Sequence, residues 1–149
     1  MQRLRNVVSG TDFSECAEQA LEVAIQLAAA ADARVTLVHV CQLEADDHDD
    51  RRLLESEAAL SRVIARNRAR GVEIAGVLRC GKPWDKLDNV ATEVGASLIV
   101  IGRYGAGRGA SAELGAVADQ LLRRARRSVL AVACDPFRLP SEAPPTNQP

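Results

Sequence analysis

Apolar and polar residues follow one another in blocks whose spacing alternates between that of a strand and that of a helix. Short runs rich in Val, Ile and Leu predict strands, and longer segments with apolar residues three or four positions apart predict helices. The predicted strands are residues 4–9, 34–40, 72–79, 97–101 and 128–133. The predicted helices are one that begins after Asp12 or Ser14 and ends near Ala31, then residues 51–70, 84–95 and 111–127.

Strands that alternate with helices predict a parallel sheet with right-handed crossovers and helices on both faces. Residues 34–40 are almost continuously apolar, as in a strand covered on both sides, whereas the alternation in residues 72–79 indicates a sheet edge. We therefore expect an α/β fold, a single-domain doubly wound five-stranded parallel sheet of order 3-2-1-4-5, within residues 1–134. Residues 135–149 hold five of the six prolines and are predicted to form a disordered tail.

A glycine-rich segment follows the fourth predicted strand. It contains Gly102, Gly105, Gly107 and Gly109. Glycines let the backbone N–H groups approach a ligand, and the helix start behind them favours an anion, so the segment has the chemistry of a phosphate cradle. Similar turns also occur without a ligand. The segment is neither a Walker loop, because no Gly-Lys-Ser/Thr follows, nor a dinucleotide fingerprint, which belongs after a first strand.

Two loops are expected to meet at one edge of the sheet. Ligands of doubly wound sheets bind beyond the carboxyl ends of the strands, where the strand order reverses. The turn at residues 10–14 follows the first strand, and the glycine-rich segment follows the fourth. Together they predict a crevice for a ligand.

Composition narrows the range of functions. Nineteen basic and twenty acidic residues give a net charge of −1, which argues against a nucleic-acid or membrane-surface binder. The sequence contains neither a secretory signal nor an apolar run of transmembrane length, so we expect a cytoplasmic location.

The cysteines are not spaced as metal ligands. None belongs to a C-x-x-C motif or has a histidine at ligand spacing, so no metal is expected. We expect buried thiols in a reducing compartment. The residues concerned are Cys16, Cys41, Cys80 and Cys134.

Four arginines cluster at the end of the fourth predicted helix. They are Arg123, Arg124, Arg126 and Arg127. Cations in the last turn of a helix are stabilised by the negative end of the helix dipole. We prefer this dipole interpretation to a nucleic-acid-binding patch, because the total charge of the chain is balanced.

Three stretches together resemble the universal stress protein family. The opening VVSGTDFSECAEQAL is similar to the family's first strand, Asp-containing turn and first helix, and GKPWDKLDNVATEVGASLIVIGRYG is similar to its Gly-x-Pro helix and fourth strand. The family's nucleotide signature is Gly-x2-Gly-x9-Gly-Ser/Thr, and Gly102, Gly105 and Gly115 match its glycines. The resemblance extends over residues 4 to 133 in order.

The resemblance implies a regulatory module that binds ATP, with or without Mg²⁺, or another adenine nucleotide. It implies that Asp12 approaches the ribose or adenine and that the backbone near Val40 meets adenine. It also implies a homodimer formed through the last strand, from Ser128 to Ala133. The candidate nucleotide-binding residues are Gly10, Thr11, Asp12, Val40, Gly102, Arg103, Gly105, Gly115, Ala116 and Val117.

The sequence departs from the signature at Ala116, where ATP-binding members have Ser or Thr. A lost hydrogen bond to a charged group costs about 1.5–3 kcal/mol, or roughly ten- to a hundredfold in affinity. Backbone donors remain, and Arg103 or Arg108 could pair with phosphate oxygens instead.

Two alternatives stay open. The same fold could act as a nucleotide-independent dimeric interaction scaffold, which the absence of a hydroxyl at Ala116 would suit. A dedicated enzyme is not expected beyond slow ATP hydrolysis. Residues 9–14 resemble the pyrophosphate loop of ATP pyrophosphatases only faintly, and no catalytic acid, base or nucleophile set accompanies them.

Overall fold

Each of the five segments predicted as strands forms a strand, and all five strands join one parallel sheet. The computed structural model describes residues 3–42, 49–104 and 114–134, so the predicted tail at residues 135–149 lies outside it. The strands are β1 (Asn6–Thr11), β2 (Arg34–Cys41), β3 (Ile74–Cys80), β4 (Leu98–Gly102) and β5 (Ser128–Val132). The helices are α1 (Glu15–Ala31), α2 (Asp50–Asn67), α3 (Pro83–Glu93) and α4 (Ala116–Arg124).

The strand order is β3-β2-β1-β4-β5, which confirms the predicted topology. The central strand β1 pairs in parallel with β2 on one side and β4 on the other, with Val8 opposite Thr36 and Ile99. β3 lies at one edge, as its alternating pattern predicts, and β5 lies at the other. The order reverses between β1 and β4, and this is where doubly wound sheets bind ligands.

The two faces of the sheet carry separate apolar clusters. On one face α1 and α2 cover Leu37, and on the other α3 and α4 cover Ile99. Gly76 lets α2 lie close to β3, because a Cβ there would come within 2.7 Å of Ile64 Cδ1. In the described ranges, no helix is both long enough and apolar enough to cross a membrane.

Several predicted boundaries shift by a few residues. β1 extends through Thr11, so Gly10 and Thr11 belong to the strand rather than to the turn that follows it. α1 begins after Ser14, whose side chain accepts a hydrogen bond from the Ala17 N–H at 3.2 Å. The prediction that α4 includes residues 114 and 115 is wrong, because Gly115 caps the helix in an extended conformation and Ala116 is its first residue.

The arginine cluster divides into two pairs with different roles. Arg123 and Arg124 lie in the last turn of α4, as the dipole interpretation requires. The interpretation is wrong for Arg126 and Arg127, which follow the helix and bind the buried carboxylate of Asp88 on α3. Arg126 Nε lies 3.0 Å from Asp88 Oδ2, so these two arginines connect the α4–β5 junction to α3.

The cysteine prediction also needs correction. Cys16 and Cys134 form a disulfide, with a Cα–Cα distance of 5.3 Å across 118 residues of sequence. Cys41 is a buried free thiol, as predicted, whereas Cys80 is free but exposed. Sequence spacing could not reveal the disulfide, because parallel crossovers bring the start of α1 and the end of β5 to the same edge of the sheet.

Candidate functional site

A cleft of about 340 Å³ opens at the carboxyl edge of the sheet, beside the ends of β1, β2 and β4 and the start of α4. It lies where the two predicted loops were expected to meet. The predicted residues in its walls are Gly10, Thr11, Asp12, Val40, Gly102, Arg103, Gly115 and Val117. Ala116 is exposed and stands outside the wall, and Gly105 lies outside the described residues, as do Arg108 and the other glycines of the loop.

The floor of the cleft depends on a glycine at the end of β1. A Cβ on Gly10 would lie 3.1 Å from Ile101 Cγ2 and equally close to both δ carbons of Leu87. These side chains belong to the apolar cluster under α3 and α4. A larger residue at position 10 would therefore displace the core or reduce the cleft.

Gly102 is required by close approach to α1. A Cβ at this position would lie 2.7 Å from Cys16 Sγ and 3.1 Å from both the carbonyl carbon and the carbonyl oxygen of Cys16. The carbonyl belongs to the backbone of α1, which cannot move aside as a flexible side chain can. Gly102 thus allows the end of β4 to pass directly against the first turn of α1.

Two backbone hydrogen bonds hold the residues that follow β4. The Arg103 N–H donates to the Val132 carbonyl at 2.9 Å, and the Arg103 carbonyl accepts from the Gly115 N–H at 2.7 Å. Arg103 is thereby fixed between β5 and the cap of α4. Its guanidinium also lies 5.5 Å from the centre of the Tyr104 ring, in a cation–π contact.

The start of α4 supplies hydrogen-bond donors next to the cleft. The first N–H groups of a helix have no acceptor within the helix, and they carry the positive end of its dipole. In α4 the cap is Gly115, whose lack of a side chain leaves the first turn without a side-chain acceptor from its own cap residue. Gly115 and Val117 both line the cleft, so this first turn lies at the cleft wall.

The turn after β1 is held by local hydrogen bonds. Thr11 Oγ1 accepts from the Phe13 N–H at 3.0 Å, and Asp12 Oδ1 accepts from the Ser14 N–H at 3.0 Å. Phe13 adopts a left-handed backbone conformation with φ of 64°, which a non-glycine residue seldom takes. These contacts set the direction in which the turn presents Asp12 to the cleft.

His39 supports this turn from β2. Its ring Nδ1 lies 2.7 Å from the Thr11 carbonyl oxygen, so Nδ1 is the nitrogen that carries the proton and donates. The ring also packs on Phe13 with a centroid separation of 4.4 Å. His39 is therefore a strand histidine whose ring contacts are made within the fold.

Sequence reasoning missed the apolar walls of the cleft. Val38 could have been found, since it lies two residues before Val40 and residues two apart on a strand share a face. Leu87 and Ala118 come from the buried stripes of α3 and α4, and only the three-dimensional arrangement brings them here. The further wall residues are Ala17, Gln42, Pro83, Ile101 and Tyr104.

The described wall of the cleft carries few ionisable side chains. Among the described wall residues the ionisable side chains are Asp12, Arg103 and Tyr104, which do not form a paired acid and base. Within the same described ranges, no three His, Cys, Asp or Glu side chains are grouped to hold a metal ion.

Comparisons with known proteins agree with this architecture. The family model described as universal stress protein family matches residues 3–133. A universal stress protein solved in complex with cAMP is 29% identical, with a TM-score of 0.72 over 88% of this chain and 98% of that chain. The universal stress protein from Archaeoglobus fulgidus in complex with dAMP is 27% identical, with a TM-score of 0.70 over 88% of this chain and 98% of that one.

A third solved structure extends the comparison to higher identity. A protein of the universal stress protein family from Burkholderia pseudomallei is 31% identical, with a TM-score of 0.67 over 89% of this chain and 98% of that chain. A search of curated proteins gave no match. Because the family model covers almost all of the described residues, the chain belongs to the universal stress protein family.

Proposed function

We propose that the chain is a regulatory module that binds an adenine nucleotide in the cleft. The observation that carries the proposal is that one cleft joins an apolar wall at the end of β2 to the donor-rich start of α4 beside β4. Neighbouring strands lie about 4.8 Å apart, so the ends of β2 and β4 are separated by about 10 Å across β1. A nucleoside can span this distance.

The base end of the proposed site is formed by β2 and α3. Val38, Val40 and Leu87 provide apolar surface for a planar ring. The backbone next to Val40 and the side-chain amide of Gln42 offer both donors and acceptors to the edge of adenine. Such a mixture of apolar walls and a few polar groups is typical of small-molecule sites.

The phosphate end is formed by backbone groups and one cation. Gly102 and Gly115 contribute backbone to this part of the wall, and the N–H groups of Ala116 and Val117 begin α4. Arg103, fixed between β5 and the α4 cap, adds a guanidinium that can pair with phosphate oxygens. Because Ala116 has no hydroxyl, the backbone and Arg103 must supply the binding that Ser or Thr would provide.

The comparisons support an adenine ligand as a class. Two relatives with nearly full-length similarity were solved with cAMP and with dAMP, both adenine nucleotides with one phosphate group. ATP, with or without Mg²⁺, remains our proposed ligand for this chain. The Asp12 carboxylate lines the same cleft and is proposed to face the ribose.

The test is a calorimetric titration with ATP and Mg²⁺, and with AMP and cAMP in parallel. Replacing Arg103 with Ala should weaken ATP binding about tenfold or more, as expected for the loss of a charge-assisted hydrogen bond. The matched control is R124A, which removes an exposed arginine of α4 whose side chain contacts Trp84. If none of the three nucleotides binds at millimolar concentration, the proposal is refuted.

A nucleotide-independent scaffold is the second candidate, and the edge strand β5 favours it. Among the described strands β5 pairs with β4 alone, so its other edge has backbone groups available to a second copy. Leu130 on this strand is 38% exposed. An exposed apolar edge strand is suited to pair with the same strand of another chain, which would give the homodimer expected from the sequence.

Light scattering coupled to size exclusion tests the scaffold. L130R should convert the dimer to a monomer, whereas L54R, at an exposed position on α2, should leave it intact. A wild-type monomer at all concentrations would rule out this role. If R103A abolishes nucleotide binding but preserves the dimer, the two functions are separable.

A further inference from the structure

The disulfide between Cys16 and Cys134 lies directly beside the cleft. Cys16 is the second residue of α1, and Gly102 of the cleft wall passes so close that a Cβ on it would meet Cys16 Sγ at 2.7 Å. Cys134 lies two residues beyond the end of β5. The pair therefore joins two segments that are 118 residues apart in sequence but adjacent at the ligand edge of the sheet.

A short chain of backbone contacts connects this disulfide to the donors of the cleft. Val132, two residues before Cys134, accepts the Arg103 N–H at 2.9 Å. The Arg103 carbonyl then accepts the N–H of Gly115, the cap of α4, at 2.7 Å. A displacement of the segment after β5 would therefore move Arg103 and, through the second hydrogen bond, the start of α4.

We propose that Cys16 and Cys134 form a reversible redox site that sets the affinity of the cleft for its nucleotide, with the oxidised protein binding more tightly. The proposal rests on nucleotide binding as the function of the cleft. The disulfide holds the segment after β5 against the first turn of α1 and thereby fixes Gly102 and Arg103. Reduction breaks this link. The phosphate end must then be ordered when the ligand binds, and the free energy that this ordering costs lowers the affinity.

The chemistry requires a small-molecule disulfide as the oxidant. Cys134 is the less buried of the two, so its thiolate attacks the small disulfide, forms a mixed disulfide and expels one small thiolate. The Cys16 thiolate, at a helix start that favours a negative charge, then attacks Cys134 Sγ and expels the second small thiolate. The two protons lost by the protein thiols are taken up by the two released thiolates, and a small dithiol reverses the reaction.

Linkage makes the effect reciprocal. If oxidation raises nucleotide affinity by a certain factor, the bound nucleotide favours the disulfide over the dithiol by the same factor. In a reducing compartment disulfides are usually transient and redox-sensing, which suits a site that responds to its surroundings. The fraction of the protein that holds nucleotide would then rise when the Cys16–Cys134 pair is oxidised.

The test is made in a chain in which the other two cysteines are replaced, by C41A and C80S, so that one pair remains. ATP with Mg²⁺ is titrated into this protein after treatment with a small disulfide and again after a small dithiol. We expect affinity to fall about fivefold or more on reduction, at the lower end of typical coupling between sites. Adding C16S and C134S should give the weaker affinity under both conditions.

Amide hydrogen exchange gives a readout that needs no ligand. Exchange at the N–H groups of Arg103 and Gly115 should accelerate on reduction, while exchange in the central strand β1 stays unchanged. Equal affinity in the two redox states, or alkylation of Cys134 after oxidation, overturns the inference and leaves the proposed function standing. Binding in neither state overturns the proposed function, and the inference with it.

Discussion

The most discriminating stability experiment compares Arg127 with Arg123. Both arginines belong to the cluster near the end of α4, and a dipole interpretation would give them equal and small effects. In the structure their surroundings differ. Arg127 is 19% exposed and donates from Nη1 to Thr92 Oγ1 at 2.8 Å and to the Asp88 carbonyl at 3.2 Å. Arg123 is 74% exposed and pairs with Asp119 one turn earlier.

These contacts set the expected magnitudes. R127A removes hydrogen bonds from a mostly buried cation, so we expect the free energy of unfolding to fall by about 2 kcal/mol. The Asp88 carboxylate keeps its bonds to Arg126, which prevents the larger loss expected for an unpaired buried charge. R123A breaks an exposed pair between residues four apart, for which about 0.5 kcal/mol or less is typical.

Urea unfolding followed by circular dichroism measures both variants under one set of conditions. The slope of the free energy against urea should be unchanged, so that the shift in midpoint reports stability directly. In a thermal melt, R127A should lower Tm by roughly 4–8 °C for a chain of this size. Equal losses for the two variants would refute the role that we assign to the Asp88 contacts and would restore the dipole interpretation.

Three further predictions concern other parts of the molecule. G102A should lower stability by about 1–3 kcal/mol in urea unfolding, because the new Cβ overpacks the backbone of α1. Arg70 holds the pKa of Glu22 below its ordinary value, so the pair stabilises the fold above about pH 4.5 and this contribution is lost as the pH falls below it. E22Q should therefore flatten the acid side of a stability–pH profile, by about 1 kcal/mol or less for an exposed pair. Partial desolvation and the neighbouring Cys41 raise the pKa of the exposed Cys80 thiol, so its alkylation near pH 8 should be slower than that of a cysteine in an unfolded peptide and should accelerate in C41A.

The fold could be predicted because its pattern is local and repeated. The nearly continuous apolar residues of β2 and the alternation in β3 distinguish an inner strand from an edge strand, and the structure has them in those places. The ends of the strands and helices are harder to predict from the sequence. Gly10 and Thr11 continue β1 because pairing with β2 extends to His39, and a partner strand cannot be recognised from the sequence of one strand.

The site could be predicted only where backbone chemistry leaves a trace in the sequence. Glycines mark the close approach at Gly102 and the cap at Gly115. Apolar wall residues such as Leu87 look like ordinary core residues in the sequence, since the same helical stripe covers both the core and the cleft. The Asp88 contacts and the disulfide join segments distant in sequence, and periodicity carries no information about such pairs.

The left-handed turn at Phe13 has a consequence for the rate at which a ligand enters the cleft. His39 lies on the face of β2 opposite Val38 and Val40, so the turn that presents Asp12 is braced from the side away from the ligand. A ligand that enters the cleft beside Asp12 therefore meets a turn whose conformation is already fixed by these contacts. Association at the Asp12 side therefore needs no slow rearrangement, and its observed rate should rise linearly with ligand concentration in a single kinetic phase.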